Sequence, residues 1–167
     1  MDDRELLNVV MGIVGKDRCL DDCAEISCGE QVMVATTDML HRTTDFVPGM
    51  TDWQAGWMSA AVTLSDIASM GAAPKYLLIA VGLDDWKCLA GVMQGAKDCC
   101  TKFGAEIVGG DIDRHNELTV VTTGIGLVSR RDIARRAGVW PGDLVCITGT
   151  PGQAQAWLDG YHQFEKA

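Results

Sequence analysis

Residues 62–74 read VTLSDIASMGAAP. From Trp53 to Pro74 the only formally charged side chain is Asp66. Trp53, Trp57, Ala60, Ala61, Leu64, Ile67 and Ala68 recur at helical spacing. Thr51 followed by Gln54 has the form of a capping box, and Gly71 and Pro74 are stop signals. The stretch therefore predicts a well-buried helix that carries one carboxylate. Bare burial of an ionised carboxyl costs several kcal/mol or forces protonation. Two explanations stand open at this point. Asp66 is a ligand for a cation, or it escapes to the surface or pairs with an arginine.

Outward from this helix the elements alternate irregularly. Residues 3–14 have the apolar spacing of a short helix. CAEIS and QVMVATT flank a Cys28-Gly29-Glu30 turn and predict a hairpin. A loop with Pro48 and Gly49 follows. YLLIAVGL reads as a strand, and Asp84 as the cap of a helix with Trp86, Leu89, Met93, Ala96 and Cys100 inward, closing at Gly104. AEIVGGDI and LTVVTTGIGLV read as strands joined by the polar turn Asp113 to Glu117. RRDIARRAGVWPGD predicts a loop with a short helical piece, LVCITG a strand, and the turn Thr150-Pro151-Gly152 precedes a terminal helical segment. Hairpins mixed with helices favour α+β over a doubly wound parallel sheet.

The 167 residues suffice for one domain with a real core, and the net charge is −9. That balance argues against a nucleic-acid binder, which needs a basic face. An acidic chain that binds phosphates needs metal ions between them. The seven cysteines form no CxxC. No secretory pattern and no membrane-length apolar run occur, so the expected setting is cytoplasmic with reduced thiols and no membrane partner. The spacing of Cys19, Cys23, Cys28 and His41 fits no standard zinc pattern.

Gly15-Lys16 lacks the earlier glycine and the following hydroxyl of a phosphate-binding P-loop: Val10 and Asp17 stand there. DIDRHNE at 111–117 has Asn116 where a calcium loop needs glycine. What remains is a set of aspartates at element ends: Asp21 and Asp22, Asp38 after Thr36-Thr37, Asp66, and Asp111 after Gly109-Gly110. Hard oxygen donors of this kind suit Mg²⁺ held by a few carboxylates together with substrate phosphates. Each has a plainer reading beside it: a solvated turn for Asp21–Asp22, a strand end for Asp38, a hairpin turn for Asp111.

Read in order, DDCA (21–24), TTDML (36–40), LSDIASMGAAP (64–74), GGDIDR (109–114) and RRAGVWPGDLVCITGTPG (135–152) resemble the motifs of the thiamine-monophosphate kinases. Those enzymes belong to the superfamily of aminoimidazole-ribonucleotide synthetase, selenophosphate synthetase and HypE. The resemblance implies an N-terminal domain like that of aminoimidazole-ribonucleotide synthetase. Its mixed or antiparallel sheet would carry helices on one face, and strands would pair into a barrel in a homodimer. It implies ATP- and Mg²⁺-dependent phosphorylation of thiamine monophosphate to thiamine diphosphate. Metal ligands would be Asp22, Thr36, Thr37, Asp38, Asp66 and Asp111. ATP would be touched by Gly110, Asp111 and Arg136, and the acceptor by Asp45, where many members have histidine. The resemblance names no catalytic residue. Leu20 and Thr63 depart from it, standing where a glycine and an asparagine are usual. Family members run to roughly twice this length, so residues 1–150 would form the ATP/Mg-binding domain. Residues 151–167 would start a C-terminal domain, supplied in cis or in trans. The alternatives are a non-catalytic Mg-nucleotide-binding or dimerisation module, or another ATP-dependent reaction of the superfamily.

Overall fold

Alternating apolar and polar residues build the first hairpin, β1 (Ala24–Cys28) and β2 (Gln31–His41), closed by Gly29 in the left-handed region. The computed structural model describes residues 2–147, 149–153 and 155. It divides into two units, Met1–Arg136 and Ala137–Ala167. The first holds α1 (Asp3–Val14), the hairpin, α2 (Asp52–Ser69), β3 (Ala73–Leu83), α3 (Leu89–Phe103), β4 (Glu106–Arg114) and β5 (Thr119–Ser129). Strand order is β1-β2-β5-β3-β4. Every pairing is antiparallel except β3 with β4, which α3 joins as a parallel crossover. The fold is thus α+β with a mixed sheet, and α2 and α3 both pack on the same face of it.

That face holds the core. Val34, Leu77, Val81 and Val120 from the sheet meet Ile67, Met70 and Val92, all with essentially no exposure. Each such side chain contributes about 1.5–3 kcal/mol by leaving water. The helices touch backbone to backbone. A Cβ on Gly56 would lie 1.9 Å from the Val92 carbonyl oxygen, and one on Gly95 would lie 1.9 Å from that of Trp53. Alanine at either position would force α2 and α3 apart. The expected capping box forms: Thr51 Oγ1 accepts from Gln54 N (3.2 Å), and Thr51 N donates to Gln54 Oε1 (2.9 Å). Gly104, in the left-handed region, ends α3 by donating to the carbonyls of Cys100 and Thr101.

Several local expectations change. The second strand runs on to His41, so Asp38 lies inside it. Pro74 is the second residue of β3, where the bulge between Pro74 and Tyr76 accommodates it. Asp85, not Asp84, caps the next turn, a 3-10 turn at Trp86–Cys88; Asp84 instead pairs with Arg42 at 2.9 Å. Trp86 is exposed. β4 and β5 are consecutive but not neighbours, because β5 inserts between β2 and β3. Residues 130–136 contain a turn and no helical piece.

In the second unit the Trp-Pro-Gly-Asp turn closes on itself: Trp140 N donates to Asp143 Oδ2 at 2.8 Å. Residues 144–147 do not form the expected strand. The expected terminal helix falls mostly outside the described residues.

Candidate metal and phosphate site

Parity decides which residues of TTD meet α2. Side chains alternate along β2, and Val32 and Val34 are buried under the helices. Thr36 and Asp38 share that face. Thr36 Oγ1 donates to Asp66 Oδ2 at 3.2 Å, and Thr63 Oγ1 on α2 donates to Asp38 Oδ2 at 2.6 Å. Thr37 points to the opposite face, where its hydroxyl meets that of Thr123 at 2.9 Å. Its side chain is therefore not beside Asp38 or Asp66.

Asp22 arrives from the turn before β1. Its Oδ2 accepts from Ser69 Oγ in the last turn of α2 at 3.1 Å, and its Oδ1 from the Arg136 guanidinium. Arg136 is delivered by a strap that crosses the end of α2. Ala134 N donates to Met70 O at 3.0 Å. Gly71, at φ 70°, leaves room for the crossing: a Cβ there would lie 2.8 Å from the Asp132 carbonyl oxygen. Arg135 grips Glu25 through two nitrogens, at 2.5 and 2.7 Å, and Arg136 N donates to Asp21 Oδ1 at 2.8 Å. Neither the strap nor its arginine–glutamate grip was legible in the sequence, because the partners are 110 residues apart. Ser69 was a recoverable signal, lying three residues after Asp66 on one helix face.

The electrostatics mark this as one cluster. Asp66 is half-buried, and its carboxyl is pushed above the usual 3.8, first by burial and then by the charge of Asp38; the Thr36 hydroxyl acts against this. Asp22 is held below its usual value by the Arg136 hydrogen bond. Cys23 is buried beneath the three acids, and its thiol is pushed up to about 12, first by burial and then by the charges of Asp66, Asp22 and Asp38. Beside these uncompensated charges the thiol stays protonated at neutral pH. Asp66 thus takes neither plain way out: it is not fully exposed, and its direct partner is a hydroxyl rather than an arginine.

The other expected residues lie elsewhere. Gly110 shares a cross-strand row with Ile79, Thr122 and Asp38. It sits three strands away, about 14 Å at normal strand spacing. A Cβ on Gly110 would lie 1.7 Å from the Ile79 carbonyl oxygen, so the neighbouring strand already accounts for this glycine. Asp111 falls in the next row, with Ala80, Val121 and Met39, on the open face of the sheet. Asp45 closes its own loop: its Oδ2 accepts from His41 N at 2.8 Å and Thr44 Oγ1 at 2.7 Å, and these donors hold its carboxyl below the usual range.

Within one chain the gathered set is Asp22, Asp38, Asp66, Thr36 and Arg136. The donor chemistry is all hard oxygen and fits Mg²⁺. Among the described residues, no three acidic, histidine or cysteine side chains are already arranged to hold an ion. One cationic place is filled by the Arg136 guanidinium.

A relative, the thiamine-monophosphate kinase of Methanospirillum hungatei, is 49% identical over 166 residues, covering 99% of this chain and 58% of the relative. The thiamine-monophosphate kinase of Archaeoglobus fulgidus is 37% identical, covering 95% of this chain and 55% of the relative. The chain therefore spans little more than half the length of these relatives. In three dimensions it superposes on AaThiL complexed with AMPPCP and TMP with a TM-score of 0.88 at 24% identity, over 99% of this chain and 54% of that one. Thiamine-monophosphate kinase from Stenotrophomonas maltophilia K279a gives 0.75 at 27% identity, over 96% and 52%. Residues 20–128 match the family model described as AIR synthase related protein, N-terminal domain, and that span holds Asp22, Asp38, Asp66 and Asp111. With the order of its motifs, the packing of both helices on one sheet face and this match in agreement, the chain belongs to the AIR synthase related proteins by their N-terminal domain.

Proposed function

We propose that this chain is the nucleotide- and Mg²⁺-binding N-terminal half of a cytoplasmic thiamine-monophosphate kinase. It would transfer the γ-phosphoryl group of ATP to thiamine monophosphate. The observation that carries the reading is the convergence of Asp22, Asp38 and Asp66 around buried Cys23, with Asp66 burdened by burial and by its neighbour's charge. A cluster with that surplus of negative charge is relieved by divalent cations, and the relatives are named for this reaction. Four described cysteines are buried free thiols, in keeping with a reducing compartment.

Asp22, Asp38 and Asp66, with Thr36, would hold Mg²⁺, which supplies the positive charge that lets two phosphate groups approach. The acceptor phosphate has a second pKa of about 6 and is mostly ionised at neutral pH, so no general base is required. Its oxygen forms the new bond to the γ-phosphorus as the bridging β–γ bond breaks, and ADP leaves. Catalysis is then positioning and charge neutralisation. Arg136 would leave Asp22 for the polyphosphate. Thr37 would contribute through its main chain. Gly110 and Asp111 would enter ATP and metal binding from β4, and Asp45 would face the acceptor. Half-exposed Met39, Tyr76 and Leu78 on the open sheet face support a homodimer that pairs these surfaces. Residues 151–167 would begin a C-terminal domain, in cis or in trans.

A coupled ADP-release assay with thiamine monophosphate tests this, on the chain alone and with the remaining portion of a relative added. Turnover that requires the added half supports the reading. Calorimetry showing no Mg·AMPPCP binding by the chain would reject it. The exposed apolar residues of the open sheet face favour one second reading, a Mg-nucleotide-binding or dimerisation module without catalysis. Binding without turnover under every combination would select that reading.

A further inference from the structure

Two buried hydroxyls stand in line behind Asp38. Thr63 Oγ1 lies 2.6 Å from Asp38 Oδ2 and 2.6 Å from Thr122 Oγ1. Thr122 Oγ1 lies 2.9 Å from the Ser59 carbonyl oxygen of α2. Thr63, Thr122 and Ser59 are at most 1% exposed, so water does not compete for these groups. An ionised carboxylate has no hydrogen to give, and each hydroxyl has one. With Asp38 ionised as a cation ligand, the Thr63 hydrogen points at Asp38 Oδ2; the 2.6 Å contact behind it then takes the Thr122 hydrogen, so Thr122 donates to Thr63 rather than to the Ser59 carbonyl. The chain fixes the direction of the carboxylate as well as its place. Oδ2 is committed to Thr63, and among the described residues nothing bonds to Oδ1. Asp66 repeats the pattern, with Oδ2 committed to Thr36.

We propose that Thr63, backed by Thr122, is a positioning residue that turns Asp38 so that it presents Oδ1 alone to a cation. The single helix α2 then sets two ligands at once. It carries Asp66 itself and, one turn earlier, the hydroxyl that aims Asp38. This inference rests on the Mg-nucleotide reading above and adds to it two residues that touch neither metal nor nucleotide.

The test compares Thr63→Ser, Thr63→Ala and Thr63→Val. The serine and alanine variants lose the same methyl group and differ only in the hydroxyl. Calorimetric titration with Mg²⁺ and AMPPCP should show Thr63→Ala and Thr63→Val binding about tenfold more weakly than wild type, with Thr63→Ser within about twofold of it. Rescue by serine is the readout that packing alone would not produce. Equal weakening in serine and alanine, or wild-type affinity in a folded Thr63→Val protein, would overturn the proposal. Should the hydroxyl-free variants fail to fold, Thr122→Val breaks the chain one link back, and a wild-type affinity there overturns it equally. If wild type itself does not bind Mg·AMPPCP, the functional reading fails first and takes this inference with it. If wild type binds and the variants match it, only the inference fails.

Discussion

The middle of β2 and the loop that follows it carry carboxylates in opposite circumstances. At the His41 end, Asp45 accepts a main-chain N–H and a hydroxyl, and these donors stabilise its charge. Nearby, Glu117 does the same for the N–H of Thr43, and Arg42 pairs with Asp84. Each acid there is satisfied by its own surroundings. Beside Thr36 and Asp38, in the middle of the strand, burial and crowding leave Asp66 paying for its neighbours, and the nearest guanidinium is committed to Asp22. Acids are present at both places, but only the mid-strand one has charge left over. That difference, rather than the number of aspartates, distinguishes the two.

The largest effect should come from Asp66→Asn. It removes the carboxylate with the greatest unmet demand while keeping its shape and its acceptor for Thr36. Mg·AMPPCP binding should fall by about 100-fold or more, since a metal contact and its charge are lost together. The fold should persist with a melting temperature at or above that of wild type. Unchanged affinity would place the site elsewhere.

Next in size is Arg136→Ala, which separates placeholder from ligand. Removing the guanidinium frees Asp22, so Mn²⁺ alone should bind more tightly, as read by paramagnetic resonance. Mg·AMPPCP should bind about tenfold more weakly, because a charge-assisted contact to phosphate is lost. If both affinities move in the same direction, Arg136 does not exchange between carboxylate and phosphate. Smaller still is Asp45→Asn in the loop after β2. Losing charge-assisted bonds to His41 N and Thr44 in a partly solvated loop should cost about 1 kcal/mol in urea unfolding at neutral pH.

How much of this contrast was readable beforehand follows the range of the forces involved. The α2 capping box and the Gly104 stop are local, and both stand where the sequence put them. A lone carboxylate on an otherwise uncharged helix singled out Asp66, whereas the motif reading grouped Thr37 with Thr36 and Asp38, a set that period-two alternation divides. Strand order was not readable. Pairing β5 with β2 and β3 joins residues up to 98 positions apart (Gln31 with Ser129), and no local pattern encodes that choice. The same blindness hid the displacement of Asp111 to the open face, which follows from the register of β4 on β3. Thr63 stood out only as a departure from the resembled pattern. Its role emerged when the sheet placed Asp38 and Thr122 beneath it.

The finest test of the two places is their pH dependence, where they should bend stability in opposite senses. The carboxyl of Asp66 lies above its ordinary 3.8 in the folded chain, so the folded state holds that proton more tightly than the unfolded state does. Stability must then fall as pH rises from 3.8 through the folded value, and the penalty persists at neutral pH. Asp66→Asn removes the penalty, so the variant should exceed wild type in unfolding free energy near neutrality and match it below 3.8. Asp45 lies below 3.8 when folded. Its contribution is complete above 3.8 and is lost as pH falls through the lower, folded value. Asp45→Asn should therefore be weaker than wild type near neutrality, with the gap closing in acid. Urea unfolding of the three proteins from neutral to acidic pH should give two difference curves of opposite sign that both converge on zero. Saturating Mg²⁺ and AMPPCP should reverse the sign for Asp66→Asn alone, because bound cations turn the burdened carboxylate into a stabilising one. Difference curves of the same sign without ligand would mean that Asp66 is as well satisfied as Asp45, and the contrast between the middle of the strand and the loop after it would collapse.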